Sequence, residues 1–193
     1  AVVGAFADDV NGRADQGSAY VFVRSGSTWT QQAKLVAGDG AAGDFLGISV
    51  GIWADTVVVG AYGASVGGNA AQGAAYIFTR TGSAWSQQAK IAAADGGTNA
   101  AFGYSVSISG DTVVAGAYGA AVGVNASQGA AYVFSRLDAA WTQEAKLTAS
   151  DGAASDFFGT SVAISGDRVI VGAAVDDVGI KVDQGSAYIF ERT

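Results

Sequence analysis

The segment FGYSVSISGDTVVAGAYGA, residues 102–120, has the pattern of one β-strand, a two-residue turn and a second β-strand. The turn is the pair Gly110-Asp111, which suits a tight hairpin of the primed type. Near-copies of this segment occupy residues 46–64 and 158–176. The chain therefore repeats one β-hairpin, and the spacing of the copies indicates which fold to expect.

The repeat has a period of 56 residues and contains no insertions. This spacing separates Gly4, Gly60, Gly116 and Gly172, and also Trp29, Trp85 and Trp141. A unit of this length suits one four-stranded β-propeller blade together with its loops. We therefore expect a single propeller segment over residues 1–193, with repeats at 1–28 (partial), 29–84, 85–140 and 141–193 (partial).

Each repeat contains four candidate strands, which we name A to D. One set is Gly103–Ser109 (A), Thr112–Ala117 (B), Ala130–Arg136 (C) and Trp141–Leu147 (D). Strand B is apolar at every position in copies such as Val57-Val58-Val59-Gly60-Ala61, so we expect an inner strand with both faces covered by neighbouring sheets. Strand D alternates between apolar and polar residues, which favours the outer rim. The predicted fold is all-β, with propeller blades of four antiparallel strands and about three and a half blades in this chain.

The first hairpin between strands A and B departs from the others. Trp53-Ala54-Asp55 replaces the Ser-Gly-Asp of the later copies. Because alanine disfavours a positive φ angle by about 1 kcal/mol, we expect a different turn at this place. Trp53 is expected to pack at the rim rather than to bind a ligand.

The composition excludes several classes of function. The chain has 193 residues and no Cys or His, so it lacks disulfide bonds, thiolate zinc sites and His-dependent catalytic triads. Its net charge of −7 disfavours nucleic acid and anionic membranes as partners. No stretch resembles a transmembrane helix, so membrane insertion is not expected. A pair of aspartates at glycosidase spacing is left open, but the expected activity is not enzymatic.

The long loops carry most of the acidic residues. In an up-and-down sheet, the long B to C and D to A loops lie on one face, and the short A to B and C to D hairpins lie on the other. The long loops contain only Arg13 and Lys181 as basic residues, against 11 of the 17 acidic ones: Asp8, Asp9, Asp15, Asp39, Asp44, Asp95, Asp151, Asp156, Asp176, Asp177 and Asp183. We expect an acidic long-loop face that attracts a cation or a basic protein surface.

Two B to C loops are candidate calcium sites. Each carries three aspartates within eight residues, namely Asp8, Asp9 and Asp15 in the first loop and Asp176, Asp177 and Asp183 in the last. Carboxylates and backbone carbonyls are the ligands that calcium prefers, so calcium is a possible cofactor. The other interpretation is that these aspartates make the loops soluble and cap their turns.

The repeats resemble a known family. Phe102-Gly103 followed by Gly116-Ala117-Tyr118, and Phe158-Gly159 followed by Gly172-Ala173, are similar to the FG-GAP repeat of integrin alpha-subunit heads and of many secreted bacterial proteins. This resemblance implies a seven-bladed β-propeller that is extracellular or on the cell surface, acts in adhesion or ligand binding, and has no catalytic activity. The integrin-type calcium loop between strands A and B is missing, because only Gly110-Asp111 or Gly166-Asp167 stands there.

Three functions are compatible with the sequence. The first is a recognition or adhesion module that binds a protein or glycan ligand through the acidic face. The second is a structural subunit that assembles through unpaired blade edges into a surface fibre or an oligomeric ring, by self-association or by taking up an additional chain. The strand order BCD, ABCD, ABCD, ABC leaves such edges at residues 1–6 and 185–192. The third is a carbohydrate-binding propeller in which Tyr62, Tyr104 and Tyr118 stack on sugar rings, although blade packing is the expected role of these tyrosines. Because residue 1 is Ala and Met is absent, we expect the chain to come from a longer one.

Overall fold

A computed structural model describes residues 1–192 of the chain. Over these residues it contains fourteen β-strands and no helix. The strands are β1 (Val2–Ala5), β2 (Ser18–Ser25), β3 (Thr28–Leu35), β4 (Val50–Trp53), β5 (Thr56–Ala61), β6 (Ala74–Thr81), β7 (Ala84–Ile91), β8 (Phe102–Ser109), β9 (Thr112–Ala117), β10 (Ala130–Leu137), β11 (Ala140–Leu147), β12 (Phe158–Ser165), β13 (Arg168–Ala173) and β14 (Ser186–Glu191).

The strands form four antiparallel sheets, which we number as blades 1 to 4. Their strand orders are β1-β2-β3, β4-β5-β6-β7, β8-β9-β10-β11 and β12-β13-β14. The complete blades have the order A-B-C-D, and this arrangement of 56-residue repeats is that of a partial β-propeller. Over residues 1–192, blade 1 has no strand A and blade 4 has no strand D, as predicted.

The hydrophobic cores lie between blades rather than within them. Strands β5 and β9 are buried along their whole length, which confirms the prediction for strand B in the two complete blades, whereas β1 and β13 in the end blades are partly exposed. One core cluster joins blades 1 and 2, a second joins blades 2 and 3, and a third joins blades 3 and 4. Each blade therefore depends on its neighbour to bury its apolar strands, which is the usual energetics of a repeat protein.

Glycines allow the blades to approach closely. A Cβ atom added at Gly60 in β5 would overlap the carbonyl oxygen of Gly103, which is the glycine of the next blade's Phe-Gly pair. Gly103 has a φ angle of +84°, a left-handed conformation that glycine adopts without strain. The same contact recurs 56 residues earlier and later. The glycine of strand B in one blade thus packs against the Phe-Gly pair of the next blade.

The first A to B turn corrects two of the predictions. Gly110 and Gly166 begin their turns with φ angles of +59° and +58°, and Ala54 adopts +49° at the same position. The expectation of a different turn is therefore wrong, because the pairing of Trp53 with Thr56 fixes a two-residue connection. The rim packing expected of Trp53 is also wrong, since this residue is 52% exposed.

Replacement of Ala54 by glycine is expected to stabilise the chain by about 1 kcal/mol, because glycine removes the strain of a left-handed alanine. Chemical denaturation of the two proteins measures this difference. The matched control is Gly110→Ala, which places alanine in the same left-handed position of blade 3 and should destabilise by a similar amount. Equal stability of all three proteins would show that the turn is not strained.

Candidate functional site

Each B to C loop is tied to the D to A loop that follows its blade. In blade 2, Gln72 Nε2 donates a hydrogen bond to Ala93 O at 3.1 Å, and Gln72 Oε1 accepts one from Asn69 Nδ2 at 3.0 Å. Asn69 Nδ2 also donates to Gly96 O at 3.1 Å. The same contacts recur 56 residues later in blade 3. These buried amides hold the long loops of the two complete blades in a fixed shape.

Within residues 1–192, blade 1 lacks the side-chain hydrogen bonds that these amides make in blades 2 and 3. Arg13 stands where the later blades have Asn69 and Asn125. Gln16 is almost fully buried, and its Oε1 atom has no hydrogen-bond donor within residues 1–192. A buried acceptor without a donor lowers stability, because it loses its water and gains nothing in return.

Replacement of Arg13 by asparagine is therefore expected to stabilise the chain by about 1 kcal/mol. The asparagine amide would give Gln16 Oε1 the donor that Asn69 gives Gln72. Urea unfolding of R13N and of the double variant R13N/Q16M tests this explanation. The gain from R13N should disappear when R13N/Q16M is compared with Q16M alone, and a gain that survives in that comparison would assign the effect to the loss of the Arg13 charge.

A second contact joins each D to A loop to the following blade. Asp39 accepts hydrogen bonds from the Tyr76 hydroxyl at 2.9 Å and from Lys90 Nζ at 2.6 Å. Burial disfavours the charged form of Asp39, but the bonds from Lys90 and Tyr76 outweigh it and hold the pKa of Asp39 below its ordinary value. Asp95, Tyr132 and Lys146 repeat this arrangement in blade 3.

These lysines change the charge of the long-loop face. The lysines of strand D, Lys34, Lys90 and Lys146, form ion pairs with loop aspartates. From the sequence, only Arg13 and Lys181 were expected as basic groups of the long loops. Eleven aspartates therefore stand beside five basic groups, and several of the aspartates are already paired within the chain.

The structure gives Asp8 and Asp176 hydrogen-bonding roles. Asp8 forms an ion pair with Lys34 at 2.8 Å and accepts hydrogen bonds from Ser18 and Tyr20. Its bond to Lys34, together with that to Ser18, lowers the pKa of Asp8. Asp8 thus contacts the tyrosine and the lysine of blade 1 in the same way that Asp39 contacts Tyr76 and Lys90 of blade 2. In blade 4, the Tyr188 hydroxyl lies 2.9 Å from Asp176 Oδ2.

The remaining calcium candidates shape their own loops. Asp9 Oδ1 accepts a hydrogen bond from the Asp15 backbone N–H at 2.9 Å, and Asp177 Oδ1 accepts one from Asp183 at 2.8 Å. Asp15 and Asp183 have φ angles of +53° and +54°, a conformation that Ala71 shares in blade 2. Within residues 1–192, no group of three acidic side chains is placed to hold a metal ion. Calcium binding by these loops stays a prediction.

Six aromatic rings form a continuous row across the long-loop face. Successive ring centroids lie 6.5, 5.1, 5.6, 4.7 and 5.7 Å apart. We call this row the aromatic arc, and in order it consists of Phe6, Phe45, Tyr62, Tyr104, Tyr118 and Phe157. The arc starts after β1 in blade 1 and ends just before β12 in blade 4. It contains the three tyrosines that the sequence analysis considered as sugar platforms.

Two rings of the arc stand on strained backbone. Phe45 and Phe157 have φ angles of +56° and +55°, which a bulky residue adopts rarely. Their N–H groups donate to the carbonyls of Asp15 and Ser127, and these bonds hold the conformation. Three rings of the arc were not predicted from the sequence, namely Phe6, Phe45 and Phe157. The 56-residue period aligns Phe6 with Tyr62 and could have identified Phe6. Phe45 and Phe157 are two periods apart, and Ala101 occupies the equivalent position between them.

The face with the short hairpins carries paired charges. Arg80 forms an ion pair with Asp55, and Arg136 forms one with Asp111. In the two complete blades, the arginine at the end of strand C thus pairs with the aspartate of the A to B turn. A cleft of about 440 Å³ lies between these pairs and is also lined by Trp53.

The part of the chain that the structure describes, residues 1–192, contains no helix long and apolar enough to cross a membrane.

Comparison with known proteins identifies the repeat. None of the curated proteins matches the chain. The profile of the FG-GAP repeat matches residues 29–78, 85–134 and 141–190, which together are 150 of the 193 residues. Each match begins near the start of strand D in one blade and ends in strand C of the next, so the sequence repeat bridges two blades. With three such repeats building four antiparallel sheets, the chain belongs to the FG-GAP repeat family.

Proposed function

We propose that the chain is a recognition or adhesion module whose long-loop face binds a protein segment rich in basic side chains. FG-GAP repeats are typical of propeller modules with recognition, adhesion or structural roles and without catalysis, and they occur in extracellular and surface proteins. We extend the extracellular or surface location to this chain as part of the proposal. The observation that carries the proposal is the aromatic arc beside a surplus of loop carboxylates.

The chemistry of this face suits lysine and arginine side chains. The face of an aromatic ring attracts a cation with about 0.5 to 2 kcal/mol. Tyr104 is 36% exposed and Phe6 is 45% exposed, so their rings are accessible to a ligand. Carboxylates without a basic partner among residues 1–192, such as Asp177 and Asp183, add long-range attraction for the same cations.

Apolar loop tips extend the proposed surface. Val124 and Ile180 are each 99% exposed, and they occupy equivalent positions in the B to C loops of blades 3 and 4. Fully exposed apolar side chains beside a charged surface favour a protein ligand, because they gain free energy only when a partner covers them. A basic segment with apolar residues matches both features.

A glycan is the second candidate ligand. The stacked pair of Phe45 and Tyr62, with rings 12° from parallel, and the neighbouring tyrosines favour it. Ionic strength distinguishes the two candidates. Contacts between a basic peptide and carboxylates weaken when the Debye length falls from about 10 Å at 0.1 M salt to about 3 Å at 1 M, whereas stacking on a neutral sugar does not.

Arrays of basic peptides and of glycans, probed with the 193-residue chain at these two salt concentrations, test the proposal. We expect capture by basic peptides that is lost at high salt and in the variant Tyr104→Ala. The matched control is Trp53→Ala, which removes an exposed aromatic residue on the opposite face and should leave capture unchanged. Glycan capture that persists at high salt would support the second candidate, and basic-peptide capture that Tyr104→Ala leaves intact would contradict the proposed site.

A further inference from the structure

The cleft of about 440 Å³ on the face with the short hairpins lies at the junction of blades 2 and 3. All of its lining residues come from these two blades, each of which has all four strands. Its volume falls within the range of about 300 to 1,000 Å³ that small-molecule sites occupy. The cleft is therefore a candidate binding site on the face opposite the aromatic arc.

The cleft lies where the repeat changes its sequence. Trp53 stands at the position that Ser109 occupies in blade 3. The Ser109 hydroxyl accepts a hydrogen bond from the Gly166 N–H at 3.2 Å, which ties the A to B hairpin of blade 3 to that of blade 4. Because an indole has no acceptor, Trp53 cannot bind the equivalent N–H, that of Gly110. The hairpins of blades 2 and 3 lack this tie, and both of them line the cleft.

The indole of Trp53 is an exposed apolar surface inside this cleft. It is 52% exposed, although residues of both blades surround it. Trp85 and Trp141, by contrast, pack on the cores between blades. An exposed aromatic ring gains free energy when the apolar surface of a ligand covers it.

Polar groups with free bonding capacity lie around the indole. Asp55 Oδ1 accepts a hydrogen bond from Arg80 Nε, and Asp111 Oδ1 accepts one from Arg136 Nε, both at 2.7 Å. The other carboxylate oxygen of each aspartate accepts no hydrogen bond within residues 1–192. Arg136 Nη1 also donates to Thr56 Oγ1 at 3.2 Å, which fixes this guanidinium across the junction of the two blades. The cleft thus combines free acceptors with a held, rigid shape.

We propose that this cleft binds a neutral sugar unit of a glycan, with one face of the pyranose ring stacked on Trp53. The C–H face of a pyranose is apolar and covers an indole, while the hydroxyls at its edge both donate and accept hydrogen bonds. They donate to the free oxygens of Asp55 and Asp111 and accept from the Gly110 N–H. An apolar surface with a few placed polar groups is typical of small-molecule recognition.

The balance of charge favours a neutral ligand. Two arginines and two aspartates line the cleft, so their charges cancel. An anionic ligand would meet the exposed carboxylates, and a cationic side chain would meet the two guanidiniums. An apolar peptide side chain would cover Trp53, but it would take carboxylate oxygens out of water without giving them a donor. Sugar hydroxyls supply donors and add no charge.

Titration of the isotope-labelled 193-residue chain with cello-, xylo-, manno- and malto-oligosaccharides, followed by NMR, tests the proposal. At least one of these neutral oligosaccharides should bind saturably and shift the indole N–H resonance of Trp53. Trp29 is the internal control, because it is 53% exposed but lies on β3 of blade 1, and its resonance should not shift. Absence of saturable binding by all four, or equal shifts of the two indoles, would overturn the proposal.

Three variants locate the site. Trp53→Ser introduces the residue that blades 3 and 4 carry at this position, and it should weaken binding by about tenfold or more, because aromatic anchors dominate such sites. Trp53→Phe keeps an aromatic surface and should retain most of the affinity. Trp29→Ser removes an equally exposed indole and should leave binding unchanged. Unchanged binding by Trp53→Ser would contradict the assignment to the cleft.

Tyr104→Ala separates this inference from the proposed function of the long-loop face. This variant should lose basic-peptide capture and keep oligosaccharide binding, whereas Trp53→Ser should show the reverse. Oligosaccharide binding that Tyr104→Ala removes and Trp53→Ser leaves intact would assign the sugar to the aromatic arc and overturn a site in the cleft. If circular dichroism shows that Trp53→Ser is unfolded, Trp53→Phe and the indole resonances of the unaltered chain decide the result.

Discussion

Replacement of Gly60 by alanine is expected to destabilise the chain by about 3 kcal/mol, the range in which overpacking of a rigid core falls. The new Cβ atom would overlap the carbonyl oxygen of Gly103, and this backbone atom cannot move without opening the core between blades 2 and 3. Gly60 does not have a left-handed φ angle, so steric overlap between blades, and not backbone strain, accounts for the loss.

The repeat supplies a matched control for this prediction. Gly172 occupies the same position in blade 4, where an added Cβ meets only the Ser161 hydroxyl, a small side chain that can rotate. Gly172→Ala should therefore cost about 1 kcal/mol or less. Gly97 has open space around it, and Gly97→Ala should change stability by less than about 0.5 kcal/mol. Urea unfolding of the three variants measures the series, and equal losses at Gly60 and Gly172 would show that contact with the next blade is not the cause.

Much of the fold could be predicted because the repeat makes the pattern visible several times. The continuous apolar run Val57-Val58-Val59 indicated a strand covered on both faces, and it is fully buried. The alternation in strand D indicated an outer edge, where β7 and β11 lie. These predictions depend on hydrophobic burial, which is the largest favourable contribution to folding and is read directly from residue type.

The turn at Ala54 shows where such reasoning fails. The propensity of alanine against a positive φ angle is worth about 1 kcal/mol, and it was used to predict a different turn. The ladder between β4 and β5 pairs Trp53 with Thr56, and this register determines the turn despite the propensity of alanine. Local propensity is therefore a poor guide at positions where strand register is fixed by packing.

The site was harder to predict because its contacts are distant in sequence. The loop aspartates were evident, but Asp39 is bound by Lys90 from a strand 51 residues away, and sequence spacing alone does not show that pair. The aromatic arc likewise joins rings from loops and strands of different blades. Tyr62 and Tyr118 repeat with the period, whereas Tyr104 has Ile48 and Thr160 at its equivalent positions. Phe45 and Phe157 were missed because Ala101 occupies the equivalent position between them.

The largest loss from a single side-chain truncation is expected for Phe102→Ala. Phe102 is fully buried between blades 2 and 3, and its ring centroid lies 5.6 Å from that of Tyr132 and 5.8 Å from that of Phe134. Removing the ring leaves a cavity that the rigid strands around it cannot close, so the loss should be about 3 to 5 kcal/mol. A partial propeller whose cores lie between blades has no independent unit to absorb such a loss, and we expect much of the chain to unfold.

A substitution of Tyr104, two residues further along β8, distinguishes an effect on binding from an effect on folding. It belongs to the aromatic arc, contacts the rings of Tyr62 and Tyr118, and is partly exposed. Tyr104→Ala should therefore lose only about 1 kcal/mol of stability. Thermal and urea unfolding followed by circular dichroism measure both variants, and the peptide array measures binding by the one that stays folded. If Tyr104→Ala unfolds the chain as Phe102→Ala does, the arc is part of the core rather than a binding surface. If it stays folded and loses basic-peptide capture, the arc supplies binding energy that the fold does not require.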